Sequence, residues 1–323
     1  MNKTAYFSML AFTALIAAPA VLAQAYPAKS IRFILPYPPG GGSDTIARPV
    51  ARKMSENIGH QVVVDNRGGA GGSIGMEAAA RSAPDGYTIA MGLTAQLAVN
   101  VSLYKKLPYD PVKDFEPVTL LGSGAYLLVA HPSLPVKTMK DVIAVAKKHP
   151  DEILYASSGN GSGAHLATEL LKTITGIKLV HVPYKGGGPA LVDTISGQTQ
   201  LLFATPIASA AHIKAGRIRA IAVSTTKRVN SMPGVPTVAE SGVPGYDSGV
   251  WYGIVAPRGT PQPIIAKINA EFAKALGDPG IRAFLTKSGI EPDGGKPEEL
   301  GRYMVSEIAK WAKVIKAANI RLD

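Results

Sequence analysis

The sequence predicts an α/β fold built as two lobes, on three observations. Short β-branched runs alternate with amphipathic stretches along the whole chain, the pattern of sheets covered by helices. With an N-terminal leader set aside, about 298 residues remain, enough for two lobes of ordinary size. Two places then offer crossings between lobes. One is Gly122-Ser123-Gly124, where a strand pattern is interrupted and resumes; the other is the Pro/Gly-rich stretch that opens at Ser224-Thr225-Thr226-Lys227 and runs through Gly249. A chain that leaves at the first and returns at the second makes residues 125–224 one lobe and joins 26–124 to 225–323 in the other, with the double crossing as a hinge.

The leader reads Met1-Asn2-Lys3, an apolar stretch over 9–22 broken only by Thr13 and Pro19, and then Ala23-Gln24-Ala25. One lysine, a short apolar core and a small-x-small site are the marks of a secretory signal peptide; a spanning helix needs about 20 uninterrupted apolar residues. Cleavage is expected after Ala25, with Ala23 as the alternative. The chain has no cysteine, which excludes disulfide frameworks and thiolate metal sites. Export without disulfides points to a bacterial periplasm. The formal charge of +11, from which Lys3 departs with the leader, suits an anionic partner. Yet Lys105-Lys106, Lys147-Lys148 and Lys227-Arg228 are scattered and carry no aromatic interleaving, so nucleic-acid binding is not indicated.

Strands are expected at 31–35, 62–64, 88–91, 126–130, 153–156, 179–182, 201–204, 218–223 and 251–255. Helices are punctuated between them. Thr138 and Asp141 make a capping-box pattern, and His149-Pro150 closes that helix. Gly176, Gly197 and Gly216 follow helical segments at 164–175, 189–196 and 206–215. Pro261 opens a helix that runs to Leu276. A last helix over 297–316 carries Leu300, Met304, Ile308, Trp311 and Ile315 at spacings of three or four, an apolar stripe that belongs in a core.

Three strand–glycine–helix junctions carry the chemistry. After 31–35 come Pro36-Tyr37-Pro38-Pro39-Gly40-Gly41-Gly42-Ser43-Asp44, with a helix from about Thr45. Glycines let the backbone approach a ligand, and a helix start adds roughly half a positive charge, so the junction is an anion cradle. The plainer reading is a tight connection with Ser43 or Asp44 as N-cap. Pro49 should kink that helix or delay its start. The second junction is Ser157-Ser158-Gly159-Asn160-Gly161-Ser162-Gly163-Ala164-His165, with Ser162 as N-cap. His165 would lie in the first turn, kept neutral by the helix dipole, and either donate to a ligand oxygen or serve structure alone. The third is Lys185-Gly186-Gly187-Gly188-Pro189, where Lys185 is a ligand contact or merely solvated.

Enzyme signatures are sparse. GxxxxGK[ST] and GxGxxG are absent, and the histidines show no metal-ligand spacing, so neither cofactor nor metal is expected. Gly71-Gly72-Ser73-Ile74-Gly75 matches GxSxG and keeps a secreted serine hydrolase on Ser73 as the alternative. That motif must turn directly out of a strand, however, and Ser73 reads better as the N-cap of a helix over 74–81.

Taken together, 36–44, Val64-Asp65-Asn66-Arg67-Gly68-Gly69-Ala70-Gly71-Gly72, Pro84-Asp85-Gly86-Tyr87-Thr88, 159–166, Val182-Pro183-Tyr184-Lys185-Gly186 and Tyr252-Gly253-Ile254-Val255-Ala256-Pro257 resemble the Bug family, the TctC-like receptors of tripartite tricarboxylate transporters. The resemblance covers nearly the whole chain beyond the leader; Pro49 departs from it. It implies a periplasmic Venus-flytrap fold of the type II-like kind, a monomer that catalyses nothing and holds a small carboxylate through backbone N–H groups, hydroxyls and waters. It also implies delivery to membrane transporter subunits or to a sensor kinase. First-lobe contacts would be Tyr37, Gly41, Gly42, Ser43 and Asp44, with Thr94 and Ala95. Second-lobe contacts would be Ser157, Ser158, Gly161, Ser162 and His165, with Thr205. A polyanion-binding exported protein is the third class, separable by salt-sensitive retention on nucleic acid.

Overall fold

Eleven strands among the described residues sort into two sheets because the chain changes sheet twice. The computed structural model describes residues 26–317, and the expected leader lies outside them. The first lobe carries a six-stranded sheet in the order β11-β4-β10-β3-β1-β2. Its strands are β1 (Ile31–Leu35), β2 (Val62–Asn66), β3 (Thr88–Leu93), β4 (Phe115–Ala125), β10 (Gly249–Pro257) and β11 (Ile290–Pro292). The second lobe carries a five-stranded sheet in the order β7-β6-β8-β5-β9. It is built from β5 (Leu127–Ala130), β6 (Leu154–Ser157), β7 (Val180–Pro183), β8 (Leu201–Ala204) and β9 (Arg219–Val223). In both sheets parallel strands joined by helices meet antiparallel strands brought in at the crossings.

The helices that matter for the site start at strand ends: α1 (Gly42–Ile58) after β1, α5 (Gly163–Thr175) after β6, α6 (Gly187–Ile195) after β7 and α7 (Pro206–Lys214) after β8. Between the first two of these lie α2 (Ser73–Ala80), α3 (Asn100–Leu103) and α4 (Met139–Lys148); α8 (Gln262–Gly277), α9 (Pro279–Lys287) and α10 (Pro297–Ala317) follow β10. The capping box of Thr138 and Asp141 is present, and Ser162 caps α5 as expected. On α10 the stripe buries Leu300, Met304, Trp311 and Ile315 in a core shared with α2 and α3. No helix among the described residues is long and apolar enough to cross a membrane.

Three local expectations are corrected. β4 runs unbroken through Gly122-Ser123-Gly124, because these glycines admit a neighbouring strand rather than a turn. A Cβ on Gly122 would stand 2.5 Å from the Glu291 carbonyl oxygen, and one on Gly124 would stand 2.5 Å from that of Gly289. Helix α1 starts at Gly42, earlier than expected, and holds Pro49 inside it. The ring removes one intrahelical bond but keeps a helical φ, so the start is not delayed. Neither Ser43, Asp44 nor Ser73 is an N-cap. Gly41 precedes α1 in an extended conformation, and Gly72, at φ +96, precedes α2 in a left-handed one that a serine would resist.

The sheet change itself is narrow. Tyr126 alone separates β4 from β5, and Ser224 follows β9 on the return. Ser224 is fully buried and joins both crossings. Its N–H donates to the Tyr126 carbonyl (2.9 Å), and its hydroxyl accepts from the Tyr126 N–H (2.9 Å) and donates to the Ser248 carbonyl (2.6 Å). The return segment does not pass straight back. The Thr237–Val238 stretch pairs with Val223 at the edge of the five-stranded sheet, and the Tyr246 hydroxyl donates to the Ala167 carbonyl on α5 at 2.8 Å.

Candidate ligand-binding site

Four helix starts converge on one small cavity between the lobes. Gly41, Gly42 and Ser43 present the start of α1 from the first lobe; Gly163, Gly187 and Thr205 present those of α5, α6 and α7 from the second. Each start leaves backbone N–H groups without an intrahelical acceptor and the positive end of a dipole. The cavity measures about 50 Å³, and no charged side chain lines it. Leu93, Leu202, Phe203 and Ala208 give its walls apolar surface, Ser158 adds a hydroxyl, and Tyr37, Tyr126 and Tyr252 add rings that carry hydroxyls. A larger hollow of about 470 Å³ behind the hinge has mixed charges and no helix start aimed at it.

The lobes touch around this cavity. A Cβ on Gly42 would stand 2.1 Å from the Thr205 hydroxyl, so only glycine admits the opposite lobe there. The Tyr104 hydroxyl donates to the Asn160 carbonyl across the gap at 2.7 Å. The Thr205 hydroxyl is buried without a hydrogen-bond partner among the described residues.

Asp44 is buried behind the first junction. Its carboxylate accepts from the Gly40 N–H (3.1 Å) and the Asn66 amide (3.0 Å) and pairs with Arg48 at 2.8 Å. Burial alone would raise its pKa, but these donors together bring it below the ordinary value. The charge therefore holds the glycine turn in shape.

The second junction is held from beneath by two stacked imidazoles. The Ser157 hydroxyl accepts from the Gly159 N–H (3.1 Å) and lies 2.6 Å from His181 Nε2. His165 Nδ1 accepts the Gly161 N–H at 3.2 Å, and its ring stacks on His181 with centroids 4.3 Å apart. Burial is the main reason that both histidines have lowered pKa values, that of His181 to about 4. The other nitrogen of His165 faces Glu169 at 4.0 Å. His165 is thus committed to its own loop and Glu169, which leaves no nitrogen directed at the cavity.

Of the expected contacts, Tyr37, Gly41, Gly42, Ser43, Ser158 and Thr205 line the cavity. Asp44, Thr94, Ala95, Ser157, Gly161, Ser162 and His165 are not among its lining residues; the Thr94 hydroxyl, for example, accepts the Trp251 N–H at 2.9 Å. Lys185 is exposed and does not line it. Gly163 and Gly187 stood within the recognised junctions without being named as contacts, and Tyr126 and Tyr252 were missed from the sequence. The first two begin helices at recognised junctions and could have been found by asking which N–H groups lack acceptors. Ser73 is the first residue of α2, buried, and its hydroxyl has no hydrogen-bond partner among the described residues. Without a base to activate it, the hydrolase alternative has no support in the site's geometry.

A family model described as the tripartite tricarboxylate transporter family receptor, TctC, matches residues 46–320. The chain belongs to this family. Among its relatives, protein BugT of Bordetella pertussis is 38% identical over 326 residues, which is 100% of both chains. The solved structure of Rpa4515 of R. palustris with adipate is 40% identical, with a TM-score of 0.89, over 92% of this chain and 99% of that one. MatC from Rhodopseudomonas palustris with bound malate is 33% identical, with a TM-score of 0.86, over 90% of this chain and 100% of that one. This TctC receptor is accordingly a periplasmic solute-binding protein with a two-lobed α/β fold.

Proposed function

We propose that this receptor clasps a small carboxylate between its lobes and performs no chemistry on it. The observation that carries the reading is the meeting of four helix starts, from both lobes, on a cavity without a cationic side chain. Such a site holds negative charge by fixed dipoles and N–H donors, and the anion is bound best when both lobes reach it. Direct contacts come from Tyr37, Gly41, Gly42, Ser43, Ser158 and Thr205. Asp44, Thr94, Ala95, Ser157, Gly161, Ser162 and His165 keep the loops in place. The relatives with adipate and malate support the ligand class.

The lobes on this reading are 26–124 with 225–323, and 125–224, with the Thr237–Tyr246 region of the return segment riding on the second. The protein is exported, loses its leader after Ala25, works as a monomer and hands its ligand to membrane transporter subunits or a sensor kinase. The test is mass spectrometry of small molecules that co-purify with periplasmic protein, then calorimetry with a panel of carboxylates. Saturable one-to-one binding of at least one acid is expected. If every acid stays unbound at millimolar concentration while nucleic acid retains the protein in a salt-sensitive way, a polyanion binder is the right description.

A further inference from the structure

The first lobe meets the second through a loop held in an unusual shape. Gly69, Ala70, Gly71 and Gly72 follow one another at φ +127, +48, +62 and +96. Glycine adopts such angles freely but alanine does not, and a residue kept there needs its surroundings to hold it. The loop lies against the second junction. A Cβ on Gly71 would stand 2.2 Å from the Asn160 carbonyl oxygen, the same oxygen that accepts the Tyr104 hydroxyl across the gap. Residues 69–72 are thus the jaw by which the first lobe touches Asn160.

One amide holds the jaw from within. Gln96 stands in a π-helical turn, Ala95–Val99, just after β3, and is fully buried. Turns of that kind are rare and often accompany functional sites. Gln96 Nε2 donates to the Gly71 carbonyl and to the Tyr37 oxygen (2.8 Å), and Oε1 accepts the Leu93 N–H (3.1 Å). A Cβ on Gly72 would stand 2.5 Å from the same Nε2, so the loop rests on the amide itself. Tyr37 and Leu93 line the cavity, whereas Gly71 makes the contact between lobes. Gln96 does not line the cavity, yet it is bonded to both.

We propose that Gln96 is a positioning residue that ties the cavity wall to the jaw, so that a ligand seated against Tyr37 and Leu93 fixes 69–72 in the shape that receives Asn160. A methionine of similar length fills the same space but offers neither the two N–H donors nor the carbonyl, and the jaw is then free to leave its left-handed conformation. This role rests on the clasp reading above, because a link between wall and jaw matters only where binding and closure go together.

The experiment is a double-mutant cycle on the binding of succinate, glutarate or adipate, whichever the wild-type protein holds tightest, measured by calorimetry. Gln96→Met should weaken binding about tenfold or more. Gly71→Ala, which sets a methyl group against the Asn160 carbonyl, should weaken it by about as much. In the Gly71→Ala background, Gln96→Met should cost no more than about threefold further, because the contact it supports is already lost. Thermal melts without ligand show whether the variants are folded. Hydrogen exchange on the wild-type protein needs no variant: the amides of 69–72 should exchange at least about fivefold more slowly with the acid bound. Losses that multiply in the folded double variant, or exchange at 69–72 that ligand leaves unchanged, overturn the link and leave the carboxylate clasp standing. If no carboxylate binds the wild-type protein, the clasp reading fails and takes the link with it.

Discussion

A methyl group at position 42 has nowhere to go while the lobes are together, because the Thr205 side chain already occupies its place. Gly42→Val should therefore weaken ligand binding by at least about tenfold, through the loss of one or more charge-assisted hydrogen bonds at ~1.5–3 kcal/mol each. Lys185→Ala should change it less than about fivefold, since an exposed ammonium contributes ~0–1 kcal/mol. Calorimetry on both variants separates a backbone cradle from side-chain charge; the reverse order of effects overturns the cradle. A second residue-scale prediction concerns His181, which is packed among His165, Glu169, Lys172 and Tyr155. Its pKa is about 4 in the folded protein against an ordinary 6.5, so the unfolded chain binds more protons between those values. Its contribution to stability is complete above pH 6.5 and is lost as pH falls toward 4. Glu169, whose pKa is lowered despite burial, adds a loss in the same direction but below its ordinary 4.5. Melting temperature should fall from pH 7.5 to 4.5, and His181→Gln should flatten that slope; parallel slopes for the two proteins would refute the assignment. The sequence placed His165 in the first turn of a helix but could not show that its ring would accept from its own loop. The ring that stacks on it, His181, stands sixteen residues further on in β7.

At the scale of elements, the hinge is two strand exits fastened by one serine. Ser224→Ala strands a buried Tyr126 N–H and leaves the Ser248 carbonyl without its hydroxyl donor, which should cost about 1–3 kcal/mol of stability. Denaturant unfolding measures it, and a loss under about 0.5 kcal/mol would mean that the crossings hold without the serine. Most strands were legible because they are short β-branched runs set between turn residues. Two were not. β4 contains Pro117, Gly122 and Gly124, which read as breaks until the neighbouring β11 supplies the reason for the glycines. β11 has three residues and no periodicity to detect. The junction glycines were legible as a class, yet the convergence of their helix starts was not, because it is a property of two sheets facing each other. Tyr252 stayed hidden for the same reason: its position on the cavity wall follows from register with Leu93.

For the whole molecule, contacts such as Tyr104 to Asn160 and Gly42 against Thr205 exist only when the lobes are closed. Ligand should favour that state by bridging donors on both sides. Small-angle scattering should show a smaller radius of gyration under saturating ligand than without it; an unchanged radius would indicate a preformed pocket. The two-lobe plan was legible from the two candidate crossings, whereas the docking of the return segment on the second lobe was not, since Pro/Gly-rich sequence carries no signal of what it packs against. One feature of the sheet order bears on how such a chain is made. β10 lies between β4 and β3 in the first sheet, although the whole of the second sheet separates it from them in sequence. During synthesis from the N-terminus, β3 must wait with one edge open and β4 with neither of its neighbours until residues 249–257 emerge, by which time every strand of the inserted lobe is already available. The lobe that begins first is thus the one that finishes last, and its unpaired edges are where a nascent chain would need protection from aggregation.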